Sequence, residues 1–198
     1  GTVSSIYPSA EAAALPVPYT GVIGAAARRA AALTRNRKVG VIGTAATIRS
    51  GSYAKVLKEL CPGVEITARA CPLFVPLVEN GRVNPGDPIT TPAIACYLTE
   101  VRDAGVDTLI LGCTHYPLLK KMIGDFMGPD VALIDPGKVT AQETAAALAD
   151  LDLASARAAG GTARFYVSDT PDTFAELETL FLGEYAGGPV EQIAIENY

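Results

Sequence analysis

Histidine is almost missing from this 198-residue chain, which has a single one, His115, beside four cysteines, Cys61, Cys71, Cys96 and Cys113. No two cysteines form a Cys-x2-Cys pair, and His115 follows Cys113 too closely for paired zinc ligands, so no metal site is expected. The irregular spacing also fails to describe a disulfide framework. Basic residues are in deficit, 16 Lys and Arg against 21 Asp and Glu, for a formal net charge of −5. A polyanion partner demands the opposite balance, because affinity comes from releasing phosphate counterions, so nucleic acid is not an expected partner. Long apolar runs are lacking too. Val39-Gly40-Val41-Ile42-Gly43 and Leu109-Ile110-Leu111 fall far short of the roughly 20 residues a bilayer span needs, and no membrane segment is expected. The opening Gly1-Thr2-Val3-Ser4-Ser5 has neither the basic region nor the apolar stretch of a secretory signal, which points to cytoplasmic, reduced thiols. No methionine opens the sequence, and the expectation is a chain cut from a longer one.

What is present is a core-forming composition, 49% hydrophobic and 19% charged. Short β-branched runs alternate with longer Ala/Leu/Glu/Lys-rich segments, the pattern of strands alternating with helices around a largely parallel sheet. The fold class is therefore α/β. Strands are predicted at Val39–Ile42, Glu65–Arg69, Thr108–Leu111, Val131–Ile134, Ala163–Val167 and Glu191–Ile195. Helices are predicted at Ala25–Thr34, Ser52–Glu59, Thr91–Ala104, Pro117–Phe126, Thr140–Leu151 and Thr173–Phe181. Turn residues at Asp135-Pro136-Gly137 and the Ala/Gly-rich 154–162 mark candidate boundaries, with one domain core over roughly 26–134. The two strands after it are assigned to a different sheet.

Cys113 directly follows a hydrophobic strand and precedes a helix-like stretch, the position at which parallel sheets present ligand sites. Beside a hydroxyl, Thr114, and an imidazole, His115, near a helix N-terminus, its thiol is expected to be lowered toward neutral and able to act as base or nucleophile. The plain alternative is a small apolar filler. Cys96, on a helix pattern, is expected to be buried and to have no such company. His115 suits proton transfer, though a lone histidine is also a common structural residue. Thr44, Thr47 and Thr114 could hold a carboxylate at strand-to-helix junctions, where threonine also simply caps helices. Glu79 could position His115 or a water, or could be a solvated helix-face carboxylate.

Leu111-Gly112-Cys113-Thr114-His115-Tyr116-Pro117-Leu118-Leu119 resembles the second catalytic-cysteine signature of glutamate racemases. Gly40-Val41-Ile42-Gly43-Thr44-Ala45-Ala46-Thr47-Ile48 with Ser50-Gly51-Ser52-Tyr53, and Cys71-Pro72-Leu73-Phe74-Val75-Pro76-Leu77-Val78-Glu79, resemble two further blocks of that family, in the family's order. Phe165-Tyr166-Val167-Ser168 extends the likeness toward the C-terminus. The resemblance implies a three-layer parallel-sheet sandwich of two similar α/β domains, the first incomplete. Residues 1–25 would be a remnant of the N-terminal domain, 26–134 a complete domain carrying Cys113, and 135–198 a return segment completing the N-terminal domain. It implies two-base racemisation of glutamate for peptidoglycan, without pyridoxal phosphate or other cofactor. One cysteine acts as thiolate base and the other as thiol acid.

By the same resemblance, Cys113 and His115 are catalytic, Thr2, Thr44, Thr47, Thr114 and His115 contact substrate, and Glu79 is secondary. The first catalytic cysteine would immediately precede Gly1, and Gly1 stands where the family has asparagine. Glutamate is the expected small-molecule partner. A homodimer is left open, as is the preference between glutamate and aspartate. Other readings are a catalytically silent fragment, a related aspartate or hydantoin racemase, and a Cys/His hydrolase. The last is disfavoured because residues two apart on a turn seldom face each other as nucleophile and base. A dinucleotide loop at Gly40–Thr44 lacks the full Gly-x-Gly-x-x-Gly pattern.

Overall fold

The computed structural model describes residues 4, 14–157, 161–182, 188–194 and 196. The chain divides into two compact units between Ala154 and Ser155, inside the Ala/Gly-rich boundary stretch. The first unit is built on a four-stranded parallel sheet in the order β2-β1-β3-β4. Its strands are β1 (Lys38–Gly43), β2 (Glu65–Ala70), β3 (Thr108–Gly112) and β4 (Ala132–Ile134). β1 and β3 lie at the centre, and every residue of β3 is buried, as is every residue of β1 after Lys38. That explains why both read as continuous apolar runs rather than alternating ones. The predicted α/β class is the observed one.

Helices cover both faces. On one, β1 and β3 turn Val39, Val41 and Ile110 toward α1 (Val22–Leu33) and α3 (Ser52–Leu60). Four alanines of α1, Ala25, Ala26, Ala27 and Ala30, are wholly buried, so its backbone lies close to the sheet. The same face takes α7 (Pro136–Asp150), which packs on α1. The other face carries α5 (Thr90–Asp103) and α6 (Lys120–Met127), which pack on each other. Gly40 opens onto that side. A Cβ there would meet Leu109 Cδ1 at 2.7 Å and Val101 Cγ1 at 2.9 Å, so any larger residue would force these buried side chains to shift.

Two short helices were not foreseen, α2 (Ala45–Ser50) and α4 (Phe74–Glu79). Each has six residues, below the length at which apolar periodicity is visible. Gly51, at φ 64°, ends α2 and leads into α3 in a left-handed conformation that side-chain-bearing residues rarely adopt. Pro76 sits in the first turn of α4, where its missing N–H would have had no intrahelical partner. The Asp135-Pro136-Gly137 turn signal is instead a helix start. The Asp135 carboxylate accepts from Lys138 N at 3.1 Å and Pro136 is the first helical residue, so α7 begins four residues before the predicted Thr140.

The second unit is a β-α-β element. β5 (Phe165–Val167) pairs in parallel with β6 (Val190–Gln192), and α8 (Pro171–Leu182) links them. Phe165 and Phe174 rings lie 5.5 Å apart within it. Ile195, the predicted end of the last strand, lies outside the described residues. Among the described residues no helix is long and apolar enough to cross a membrane.

Candidate active site

The chain leaves β1 over one face, through α2 and α3, and leaves β3 over the other, toward α6. Connections that part in opposite directions open a crevice above the carboxyl ends of the two strands, the usual ligand position of an open parallel sheet. β1 ends at Gly43 and β3 at Gly112, which are register partners. Thr44 and Cys113 are the next residues, so the crevice is flanked by the groups that each strand delivers first.

Gly112 is forced by close approach. A Cβ on it would stand 2.6 Å from the Ile42 carbonyl oxygen and 3.2 Å from Tyr53 Cε2, and a backbone oxygen cannot swing away. Just beyond it the chain turns sharply. Cys113 N donates to the Leu111 carbonyl at 2.8 Å, and Tyr116 N donates to the Cys113 carbonyl at 3.2 Å. A short 3-10 turn, Tyr116–Leu119, then runs into α6. The turn brings His115 Nδ1 to 3.9 Å from Cys113 Sγ and to 3.2 Å from Thr114 Oγ1. Residues two apart therefore do face each other here, contrary to the expectation from spacing.

His115 Nε2 lies 3.0 Å from Glu79 Oε1. A carboxylate can only accept, so Nε2 carries the hydrogen, and in the neutral ring Nδ1 is left as an acceptor toward Cys113 and Thr114. Glu79 ends α4, and two aromatic residues brace that helix against the 3-10 turn. Buried Tyr116 donates its hydroxyl to the Cys71 carbonyl at 2.9 Å and meets Phe74 edge to face at 5.2 Å. Phe74 in turn meets Tyr97 at 5.4 Å. The loops after β2 and β3 are thus one packed body. Tyr116 and Phe74 were not singled out from the sequence; an aromatic next to the Cys-Thr-His run was the available signal.

Burial pushes the Cys113 thiol above its ordinary value, and the His115 backbone N–H only partly opposes this. The expected lowering by a helix N-terminus is corrected: the residues after Cys113 form a 3-10 turn first, and desolvation disfavours the thiolate. Cys71 directly follows β2 but is fully buried, its thiol pushed up to about 12 by desolvation, so it packs rather than reacts. Cys96, expected to be buried, is exposed on α5 because Ile94, Leu98 and Val101 form that helix's inward side.

Thr44 caps α2, its Oγ1 accepting from Thr47 N at 3.3 Å and lying 3.1 Å from Thr47 Oγ1. Thr47 is 2% exposed, behind Thr44, which leaves Thr44 as the partly open hydroxyl of the pair. Thr114 is exposed. Thr2 lies outside the described residues. The structure thus gathers Cys113, His115, Thr114 and Glu79 into one hydrogen-bonded cluster, with Thr44 and Thr47 at the adjoining strand end.

The model of the Asp/Glu/hydantoin racemase family matches residues 6–144. A glutamate racemase from Geobacter metallireducens is 46% identical over 182 residues, 92% of this chain and 66% of that protein. The crystal structure of a Bacillus anthracis glutamate racemase isoform superposes with a TM-score of 0.90 at 32% identity, covering 98% of this chain and 71% of that one. The Francisella tularensis glutamate racemase, solved in complex with D-glutamate, gives 0.87 at 31% identity, covering 100% and 72%. This chain spans about two thirds of the length of the curated relatives it matches. A match over most of the sequence, with high identity and the same backbone, makes the assignment: the chain belongs to the Asp/Glu/hydantoin racemase family.

Proposed function

We propose that this chain supplies one half of a two-base site that interconverts L- and D-glutamate, with Cys113 exchanging the α-proton on one side of the substrate. The observation that carries the reading is the Cys113–His115–Glu79 cluster at the β1/β3 crevice. Its support from outside is the name glutamate racemase carried by the curated relatives and by the structural neighbours.

Inversion at a tetrahedral carbon requires removing hydrogen from one side and returning one to the other. In the direction where Cys113 is the base, its thiol proton first passes to His115 Nδ1, which is the acceptor nitrogen of the ring when Nε2 donates to Glu79. The thiolate then takes the α-hydrogen as a proton. The C–H electron pair remains on the substrate, delocalised into its carboxylate as an enediolate-like carbanion. A proton from an acid on the far side completes the inversion. The family resemblance assigns that acid to a cysteine directly before Gly1. In the reverse direction Cys113 is the thiol acid.

The raised thiol pKa is compatible with this chemistry. A desolvated thiolate is a stronger base than one in water, and it need form only once substrate has displaced solvent. Thr114 and Thr44 are the hydroxyls available to hold the substrate carboxylate, while Thr47 acts through Thr44. Thr2 is the further proposed contact. The residues following the strand ends, Thr44, Cys71, Cys113 and Asp135, include no lysine that could carry pyridoxal phosphate, which favours direct proton transfer. A cytoplasmic enzyme providing D-glutamate for the cell wall is the corresponding biological reading.

The test is α-deuterium exchange in D2O with each glutamate enantiomer, on the complete gene product and on its Cys113→Ala variant. Loss of exchange with one or both enantiomers is expected. Undiminished exchange by the variant would remove Cys113 from the mechanism.

A further inference from the structure

Tyr53 is the second residue of α3, and its side chain reaches across to β3. Its Cε2 lies 3.2 Å from the point a Gly112 Cβ would occupy, so the ring fills the space that this glycine leaves, directly before Cys113. The residue is 3% exposed, yet its hydroxyl has no hydrogen-bond partner among the described residues. A buried polar group left unsatisfied is destabilising, and phenylalanine would fill the same volume without that penalty. A hydroxyl kept at such a position calls for an occasional partner.

Two groups could serve as its partner. One is a water, for which a cavity of about 20 Å³ lined by Val41, Thr47, Gly51, Tyr53 and Ile66 has room for a single molecule. The other is the sulfur of Cys113, the residue that follows the glycine against which the ring packs. The sulfur is the better match, because a thiol is a weak acceptor and a thiolate a strong one. The hydroxyl would then stay unbonded in the resting enzyme and bond only in the reactive state.

We propose that Tyr53 is a positioning residue for Cys113: its ring wedges the Gly112 backbone, and its hydroxyl is a donor held for the Cys113 sulfur when the thiolate forms. This rests on the reading of Cys113 as the reactive thiol but concerns its acidity, which can be measured whether or not the residue racemises glutamate. Electrostatics agree with the geometry. Burial pushes the Tyr53 phenol up, and a charge on Cys113 pushes it further in the same direction, as expected for groups that feel each other.

The experiment is peptide-resolved alkylation of Cys113 by iodoacetamide across pH, in the full chain and in Tyr53→Phe. Losing the donor should lower the neutral-pH rate by about three- to tenfold and move the inflection to higher pH. Merely loosened packing would admit water and move the inflection down, because burial is the main cause of the raised thiol value. A profile that coincides with wild type, or one that moves down, overturns the proposal. The first outcome would assign the hydroxyl to the cavity water. Thermal unfolding of the same variant, unchanged or raised, excludes a folding defect as the source of an upward shift. If Cys113→Ala retained full racemisation while Tyr53→Phe still slowed alkylation, the functional reading would fail and this one would stand.

Discussion

The two ends of the central sheet are built to opposite standards. At the amino end, the carboxylate of Asp107, just before β3, accepts from Thr34 Oγ1 at 2.7 Å, Arg35 N at 2.6 Å, Asn36 N at 2.8 Å and Thr108 Oγ1 at 3.0 Å. Every lone pair has a donor, and the loop between α1 and β1 is tied to β3. At the carboxyl end, Cys113 is half-buried with a long 3.9 Å contact, Thr114 is open, and the Tyr53 hydroxyl has no partner among the described residues. One end spends its polar groups on holding the fold. The other links its polar groups to one another and leaves Thr114 exposed, so that a substrate can add further hydrogen bonds.

Substitutions sharpen that contrast. The largest effect is expected from Cys113→Ala in the complete gene product, a fall of about 10³-fold in α-proton exchange with unfolding temperature nearly unchanged. A large loss of stability would instead make Cys113 a packing residue. Gly112→Ala should act on both properties, since its methyl group would meet the Ile42 carbonyl. A destabilisation of about 3 kcal/mol in urea titration is expected. Wild-type stability in that variant would mean the strand ends are not so tightly apposed.

Asp107→Ala should cost about 2 kcal/mol by leaving part-buried donors unpaired, without altering the alkylation of Cys113. Its pH dependence has a definite sign. Burial opposes ionisation of Asp107, but the hydrogen bonds from Thr34, Asn36, Arg35 and Thr108 outweigh it and hold the carboxyl below its usual range. The folded value is thus the lower one. The stabilisation is fully present above the unfolded aspartate value of about 3.9 and is lost as pH falls through the folded value. Acid titration of the wild type against Asp107→Asn should show a stability gap that is constant at neutral pH and closes only at low pH. The smallest effect is expected for Glu79→Gln, which keeps an acceptor for His115 but removes the charge. A fall of about tenfold in kcat with little change in KM is expected, and a change confined to KM would make Glu79 a binding group instead.

The legibility of the chain divides along the same line. Buried strands β1 and β3 are apparent as apolar runs, and the Cys113-Thr114-His115 segment identifies itself by position after such a run. The six-residue helices α2 and α4 were hidden because a span that short carries no readable period, and the start of α7 was hidden because Asp-Pro-Gly spells a turn as readily as a cap. The raised Cys113 thiol was also out of reach. Its sequence neighbours argue for lowering, and only the packed structure supplies the desolvation that wins.

Residue order by itself determined the α/β class, the strand ends on which chemistry could sit, and the chemical types available there, because these follow from periodicity and turn residues close along the chain. Tertiary structure decided which groups meet. Glu79 comes to His115 across 36 positions, and Tyr53 reaches the glycine before Cys113 from another element altogether. Such contacts depend on helix placement and strand register, set by the packing of the whole sheet, and those long-range terms leave no local mark in the sequence.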